Sequence, residues 1–210
     1  MDSLRSVTTW LTDTCVAVFF VAWIAGVLYF AVASGSGIRG WLHGLRRSML
    51  RRVLLAAAVY ALFALLDRTR GFWHHLRYWQ PELAVVGSLL AVASTALLLW
   101  ARWVLGTMWA SVPAVQEHHE LRTDGPYRMV RHPIYTGLLG LLAGGNLAIG
   151  FGVWIAYLLA AVPWLLLRVR AEDGMMAEQF GTDHAAYRSR VPALIPRRRP
   201  RSGPPGTRLP

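Results

Sequence analysis

Two short polar clusters bracket a long stretch without charge, and their residue types are those that handle charged ligands. The first is Arg131-His132-Pro133-Ile134-Tyr135-Thr136-Gly137 and the second is Arg168-Val169-Arg170-Ala171-Glu172-Asp173; between Pro133 and Arg168 there is no charged side chain. Proline is favoured at the first helical position, so Pro133 is predicted to open a helix. Free backbone N–H groups there form a local positive end suited to a carboxylate or to ring-nitrogen acceptors. His132 and Tyr135 are three apart and would share a face, while Gly137 would let a ligand or a neighbouring helix come close. The same residues equally suit a plain membrane-boundary anchor, because Arg, His and Tyr are common there. Arg168 and Glu172 are four apart on one helical face. Alone they read as a snorkelled arginine with an i,i+4 ion pair, worth about 0.5 kcal/mol. Beside the His-Pro segment they supply an anion-binding guanidinium and a cation-binding carboxylate to one pocket. Asp173 either shares the acidic role or faces water.

Other chemistries lack their signatures. His74-His75 and His118-His119 are adjacent pairs whose rings diverge on a helix, and Glu117 and Glu120 complete no ligand spacing, so no metal site is expected. Cys15 is the single cysteine, which excludes an intramolecular disulfide. No glycine-rich dinucleotide fingerprint follows a strand, and no Gly-x-Ser-x-Gly elbow is present.

The elements that must hold these clusters are membrane helices. Hydrophobic residues make up 55% of the chain and charged ones 16%, with a positive mean hydropathy of +0.37; this balance fits a multi-span membrane protein rather than a soluble domain. A spanning helix needs about 20 mostly apolar residues. Trp10 to Ala33 is expected to be the first span, uncleaved because it is too long for a signal-peptide core. Met49 to Leu66 is the second if Arg51 and Arg52 snorkel, and Leu83 to Ala101 is the third, flanked by Trp79, Trp100 and Trp103. The run Ile134 to Leu167 is too long for one helix, so two helices with a turn around Asn146 to Gly152 are expected. The fold class is therefore all-α, a polytopic membrane protein of about five transmembrane helices whose last two form a hairpin. Two short interfacial helices, broken at Gly181, are expected between Ala171 and Val191.

The net charge of +11 is carried by arginine alone, since there is no lysine. Arginines crowd the first and third connections and the tail, which places the N-terminus outside and the third loop and C-terminus in the cytoplasm of a cell-membrane protein. Both clusters then emerge on the cytoplasmic face. A basic tail fits anionic lipid headgroups better than nucleic acid here. Three regions are expected: N-terminal helices over 1–105, a core with the hairpin over 106–196, and a disordered basic tail over 197–210.

The order His119-Glu120-Leu121-Arg122-Thr123-Asp124-Gly125-Pro126-Tyr127, then Arg131-His132-Pro133-Ile134-Tyr135-Thr136-Gly137, resembles the isoprenylcysteine carboxyl methyltransferase family. So does the later pattern Arg168, Glu172-Asp173, Phe180-Gly181, Tyr187, Pro192 and Leu194-Ile195-Pro196. The likeness covers residues 100 to 196, roughly. It implies a membrane enzyme using S-adenosylmethionine, held by His119, Glu120, Leu121, Arg122, Tyr127, His132, Pro133, Ile134, Tyr135 and Glu172. Arg168 matches the family arginine that faces the acceptor carboxylate. Asp173 departs from the pattern, where a second Glu is usual, and a cofactor-contacting glutamine aligns only loosely, at Gln116.

The residues agree with that chemistry. Methyl transfer from a sulfonium is an in-line displacement that asks mainly for positioning and a dry pocket. A carboxylate or thiolate acceptor arrives ionised and needs no general base, whereas an amine or hydroxyl would. The expected substrate is a lipophilic small molecule or lipidated acceptor, most readily a carboxylate; oligomeric state is not legible. Two other readings share parts of the pattern: an NADPH-dependent membrane sterol-type reductase, and a non-catalytic membrane protein whose basic tail recruits a partner.

Overall fold

The computed structural model describes residues 2–33, 75–106, 121–152 and 154–196. Four helices carry them: α1 (Asp2–Ala33), α2 (Pro81–Leu105), α3 (Pro133–Ile149) and α4 (Trp154–Arg190). A 3-10 turn, Gly125–Arg128, precedes α3. Among the described residues there is no strand, only an isolated bridge between Arg77 and Phe151. By length and composition α1, α2 and α4 can each cross a membrane, and α3 is a shorter apolar helix of 17 residues. The expected second span, Met49 to Leu66, lies outside the described residues, as do His74, Gln116, His118 and the tail after Pro196.

Each helix boundary has a local cause. Pro81 and Pro133 open α2 and α3, at the position where a missing N–H costs nothing. α1 begins eight residues before Trp10, because Thr8, Thr12 and Thr14 turn their hydroxyls back onto carbonyls of their own helix. α3 runs past Asn146 to Ile149 and stops at Gly150, whose φ of 93° belongs to glycine. The turn that follows is stitched to the segment before α2: Tyr78 N–H donates to Gly150 O at 3.0 Å and Gly152 N–H to Leu76 O at 3.2 Å. Asn146 donates from its amide to Leu142 O and Trp154 O, joining the end of α3 to the start of α4.

Of the two short helices expected after residue 171, the second, 182–190, is present beyond the break at Gly181, whereas the first is the continuation of the long apolar helix. Nothing breaks the backbone at Arg168, so the membrane-crossing helix continues as α4 into the polar region. At about 1.5 Å per residue the stretch 154–180, up to the break at Gly181, reaches about 40 Å, beyond the ~30 Å of a hydrocarbon core. The one interruption is Gly181, with φ 47° and ψ −115°, where the helix kinks as the glycine predicts.

α3 packs chiefly on α2, and α1 lies against both. The core is small: Cys15, Ala91, Leu98 and Leu141, with Val16, Phe19, Ile134 and Leu138 around it. Between α2 and α3 the backbones nearly touch, for a Cβ on Gly144 would lie 2.7 Å from Gly87 O and 2.8 Å from Ala91 N. Large apolar side chains such as Trp10, Val21, Leu89, Trp103 and Leu159 point outward, as they do where the solvent is lipid.

Candidate functional site

The turn before Pro133 and the first polar turns of α4 come together. His132 caps α3, and its ring lies between two consecutive carboxylates of α4. Nε2 is 2.9 Å from Asp173 Oδ1 and Nδ1 is 3.6 Å from Glu172 Oε2. Tyr135, one helical turn on, stacks against the His132 ring with centroids 5.8 Å apart and donates its hydroxyl to Glu172 Oε1. Arg168 Nη2 reaches the same oxygen at 3.3 Å from one turn earlier on α4. His132, Tyr135, Arg168 and Glu172, singled out by their spacing together with the family resemblance, thus form one contact cluster.

Beneath that cluster lies a second layer of polar contacts. Arg131 grips Asp173 with two donors, Nε to Oδ1 at 3.2 Å and Nη2 to Oδ2 at 2.6 Å. Its remaining Nη1 donates to Val191 O at 2.6 Å. The segment after α4 lies across the start of α3: Arg131 N–H donates to Pro192 O at 2.9 Å, His132 N–H to Ala193 O at 3.0 Å, and Thr136 Oγ1 to Leu194 O at 2.7 Å. Two backbone donors just ahead of α3 are therefore taken by the chain itself, and the positive end expected there for a ligand is reduced to the first turn. Tyr187 Oη donates to Tyr127 O at 2.7 Å, fixing the 3-10 turn to the last part of α4. His184 Nε2 approaches Asp173 Oδ1 at 3.7 Å.

Exposure grades outward through these layers. The side chains of Arg131, His132 and Asp173 are 8%, 10% and 12% exposed, whereas those of Glu172 and Arg168 are 26% and 38% exposed. The open face is therefore formed by one carboxylate and one guanidinium. The apolar part of α4 ends at Leu167, so these groups sit beyond it. Burial pushes the His132 pKa down, but the hydrogen bond to Asp173 and the nearby Glu172 carboxylate outweigh that and hold it above the ordinary histidine value. Burial, then Tyr187 and Glu172, push the Tyr127 phenol up, so it stays protonated.

The remaining sequence candidates are placed as follows. Pro133 is fully buried, and Ile134 faces the core rather than the polar cluster. Tyr127 is buried in the 3-10 turn. Leu121 and Arg122 are half-buried in the irregular stretch leading to that turn, and His119 and Glu120 lie outside the described residues. Sequence reasoning gave no role to Arg131, Thr136, His184 or Val191. Arg131 and Asp173 were visible within the motifs, but their pairing across 42 residues has no sequence period.

Residues 84–178 match the isoprenylcysteine carboxyl methyltransferase (ICMT) family. The stretch takes in α2 from Ala84, the 3-10 turn, α3 and α4 as far as Glu178. Protein-S-isoprenylcysteine O-methyltransferase B of Arabidopsis thaliana is 32% identical over 39% of this chain and 42% of its own length. Methanethiol S-methyltransferase 2 of Bradyrhizobium diazoefficiens is 34% identical over 67% and 59%. The cobalt-zinc-cadmium resistance protein CzcN of Cupriavidus metallidurans is 32% identical over 56% and 50%. The chain spans about half the length of the curated relatives it matches.

Proposed function

We propose that the chain is a member of the isoprenylcysteine carboxyl methyltransferase family, a membrane methyltransferase using S-adenosylmethionine on a lipophilic, anionic acceptor. The observation that carries the reading is the Arg168–Glu172 pair beside His132, at the outer layer of the cluster and within the matched stretch. The cofactor, when bound, supplies an electrophilic methyl on a sulfonium. The donor chemistry of the site fits such a group: Glu172 offers a carboxylate to a cation, and Tyr135 and His132 hold that carboxylate in place. His119, Glu120, Leu121, Arg122, Tyr127, Pro133 and Ile134 are proposed to complete the cofactor site, partly through backbone. Arg168, the more exposed charge, is proposed to meet the acceptor's anion.

The residues also favour an acceptor that arrives ionised. His132 has a carboxylate at each ring nitrogen, and Glu172 already accepts from Tyr135 and Arg168. Neither is placed to take a proton from an amine or hydroxyl. A carboxylate needs no such base, nor does a thiolate, the ionised form of the substrate named for the Bradyrhizobium relative. We further propose five spans with α3 and α4 as a membrane hairpin, and the site on the cytoplasmic side of the cell membrane, from the arginine distribution. The test is calorimetric titration of the purified protein in detergent with S-adenosylmethionine and, separately, with NADPH. Saturable binding of the first alone is expected; binding of NADPH alone would replace the reading with a reductase.

A further inference from the structure

A neutral imidazole carries one N–H and one lone pair, so it can satisfy one carboxylate and must turn a lone pair on the other. The His132 ring faces a carboxylate at each nitrogen, Asp173 at 2.9 Å and Glu172 at 3.6 Å. Only the imidazolium, with two donors, suits both. Asp173 is not free to turn away, because both its oxygens are gripped by Arg131. Arg131 in turn spends its last nitrogen on the Val191 carbonyl at 2.6 Å. The contacts form one line from the segment after α4, through Arg131, Asp173 and His132, to Glu172 at the open face. The inner members are nearly sealed, with side chains 8% to 12% exposed.

We propose that Arg131 and Asp173 are positioning residues that act through His132, fixing it as a doubly donating imidazolium and so fixing the Glu172 carboxylate that the cofactor's cation meets. The inference rests on the proposed cofactor reading for that last contact only. The buried pair touches no ligand; it sets the charge and direction of the ring that does. Every charged or titratable neighbour agrees with this assignment or stands outside it. Asp173 faces Arg131, His132 and His184 and acts on the Tyr187 phenol, and Glu172 faces His132, Tyr135 and Arg168 and acts on the Tyr127 phenol. Burial, against the opposing pull of Asp173, holds the His184 imidazole below its ordinary value, and the neighbouring cations Arg131 and Arg188 act the same way. His132 sits above its ordinary value in the same field. A further consequence is that His132 does not serve as a base.

The experiment labels histidine rings with ¹³C and ¹⁵N in the full chain in nanodiscs and assigns His132 by its loss in His132→Gln. In the wild type, both ring nitrogens are expected to read as protonated at about pH 7; a neutral tautomer there overturns the proposal without any variant. In Asp173→Asn the His132 midpoint is expected to fall by about one unit or more. S-adenosylmethionine affinity is then expected to drop about tenfold near pH 8 and to return to within about threefold of wild type near pH 6. Asp173→Glu, which keeps the charge, restores both. An equal loss at both pH values, or an unmoved midpoint in correctly folded Asp173→Asn, would make Asp173 a structural brace and sink the idea. If the wild type binds no S-adenosylmethionine while the midpoint moves as described, the cofactor reading fails and the positioning stands.

Discussion

α3 is held along its length by α2 and at its beginning by α4, and the two contacts are opposite in kind. Against α2 the seam is made of missing side chains, with Gly144 opposite Gly87 and Ala91, and backbone meeting backbone. Against α4 it is made of charged side chains, Arg131 and His132 reaching Glu172 and Asp173. The solvent explains the contrast. Lipid is as apolar as leucine, so helices inside it gain by close packing rather than by hiding apolar surface. Beyond the apolar run water competes for every charge, and a fixed arrangement needs partners on several sides at once. One seam specifies where the helix lies, the other what its end can bind.

The sharpest way to break that contrast is to give the first seam a side chain. Gly144→Leu has backbone at 2.7 Å and 2.8 Å from its first new carbon, so the helices must part. A loss of about 3 kcal/mol or more is expected, seen as a lower melting temperature in detergent and poor recovery of folded protein. The adjacent Gly145 is the control, since its new carbon would meet only Thr12 Cγ2 at 3.6 Å. Gly145→Ala should stay within about 0.5 kcal/mol of wild type. Equal losses at the two glycines would mean that the close approach does not hold α3.

The second seam should fail in function before it fails in fold. Glu172→Ala removes the shared acceptor of Tyr135, Arg168 and His132, and a charged hydrogen-bond partner contributes about 1.5–3 kcal/mol. S-adenosylmethionine affinity is expected to fall about tenfold to a hundredfold, and His132→Ala should behave alike. Full affinity in both variants would remove the site from this seam. Arg168→Ala is expected to divide the site further, with turnover down about tenfold and cofactor affinity within about twofold. An equal fall in both quantities would place Arg168 with the cofactor instead of the acceptor.

Much of this was legible in the residues, for reasons that differ between the seams. Pro133 and the charge-free run to Leu167 located α3 and the apolar part of α4, because proline placement and hydropathy are local. The i,i+4 spacing placed Arg168 with Glu172 for the same reason. The line from Val191 through Arg131 to Asp173 was not legible. Adjacent residues on a helix point about 100° apart, so nothing in Glu172-Asp173 says that one ring will sit between them. The strap over α3 uses backbone carbonyls of Pro192 and Ala193, which carry no residue signature at all. The early start of α1 was hidden by threonines whose polarity is spent inside their own helix.

Charge distinguishes the seams by pH as well. The folded His132 pKa is raised, so its contribution to stability is fully present below the unfolded value of about 6.5 and is lost as pH rises through the folded one. The melting temperature and cofactor affinity should therefore both decline as the pH rises above about 6.5 and through the raised folded value, and His132→Gln should flatten the decline. The glycine seam has no titrating group and predicts no such slope. A slope that persists in His132→Gln would point to another group.

The smallest effect is expected from the strap, and its size separates a brace from a site. Thr136→Val keeps the shape of the side chain and removes one donor, the hydroxyl to Leu194 O at 2.7 Å. The N–H groups of Arg131 and His132 still reach Pro192 and Ala193, and Arg131 Nη1 still reaches Val191 O, so the segment keeps three of its four direct ties to the start of α3. The expected cost is about 1 kcal/mol in stability, with cofactor affinity changed less than about threefold. Thermal unfolding and titration on the same sample read both. If Thr136→Val weakens S-adenosylmethionine as much as Glu172→Ala does, the strap is not a brace: the first turn of α3 must then contact the cofactor through Thr136 itself, and the open face is wider than Glu172 and Arg168.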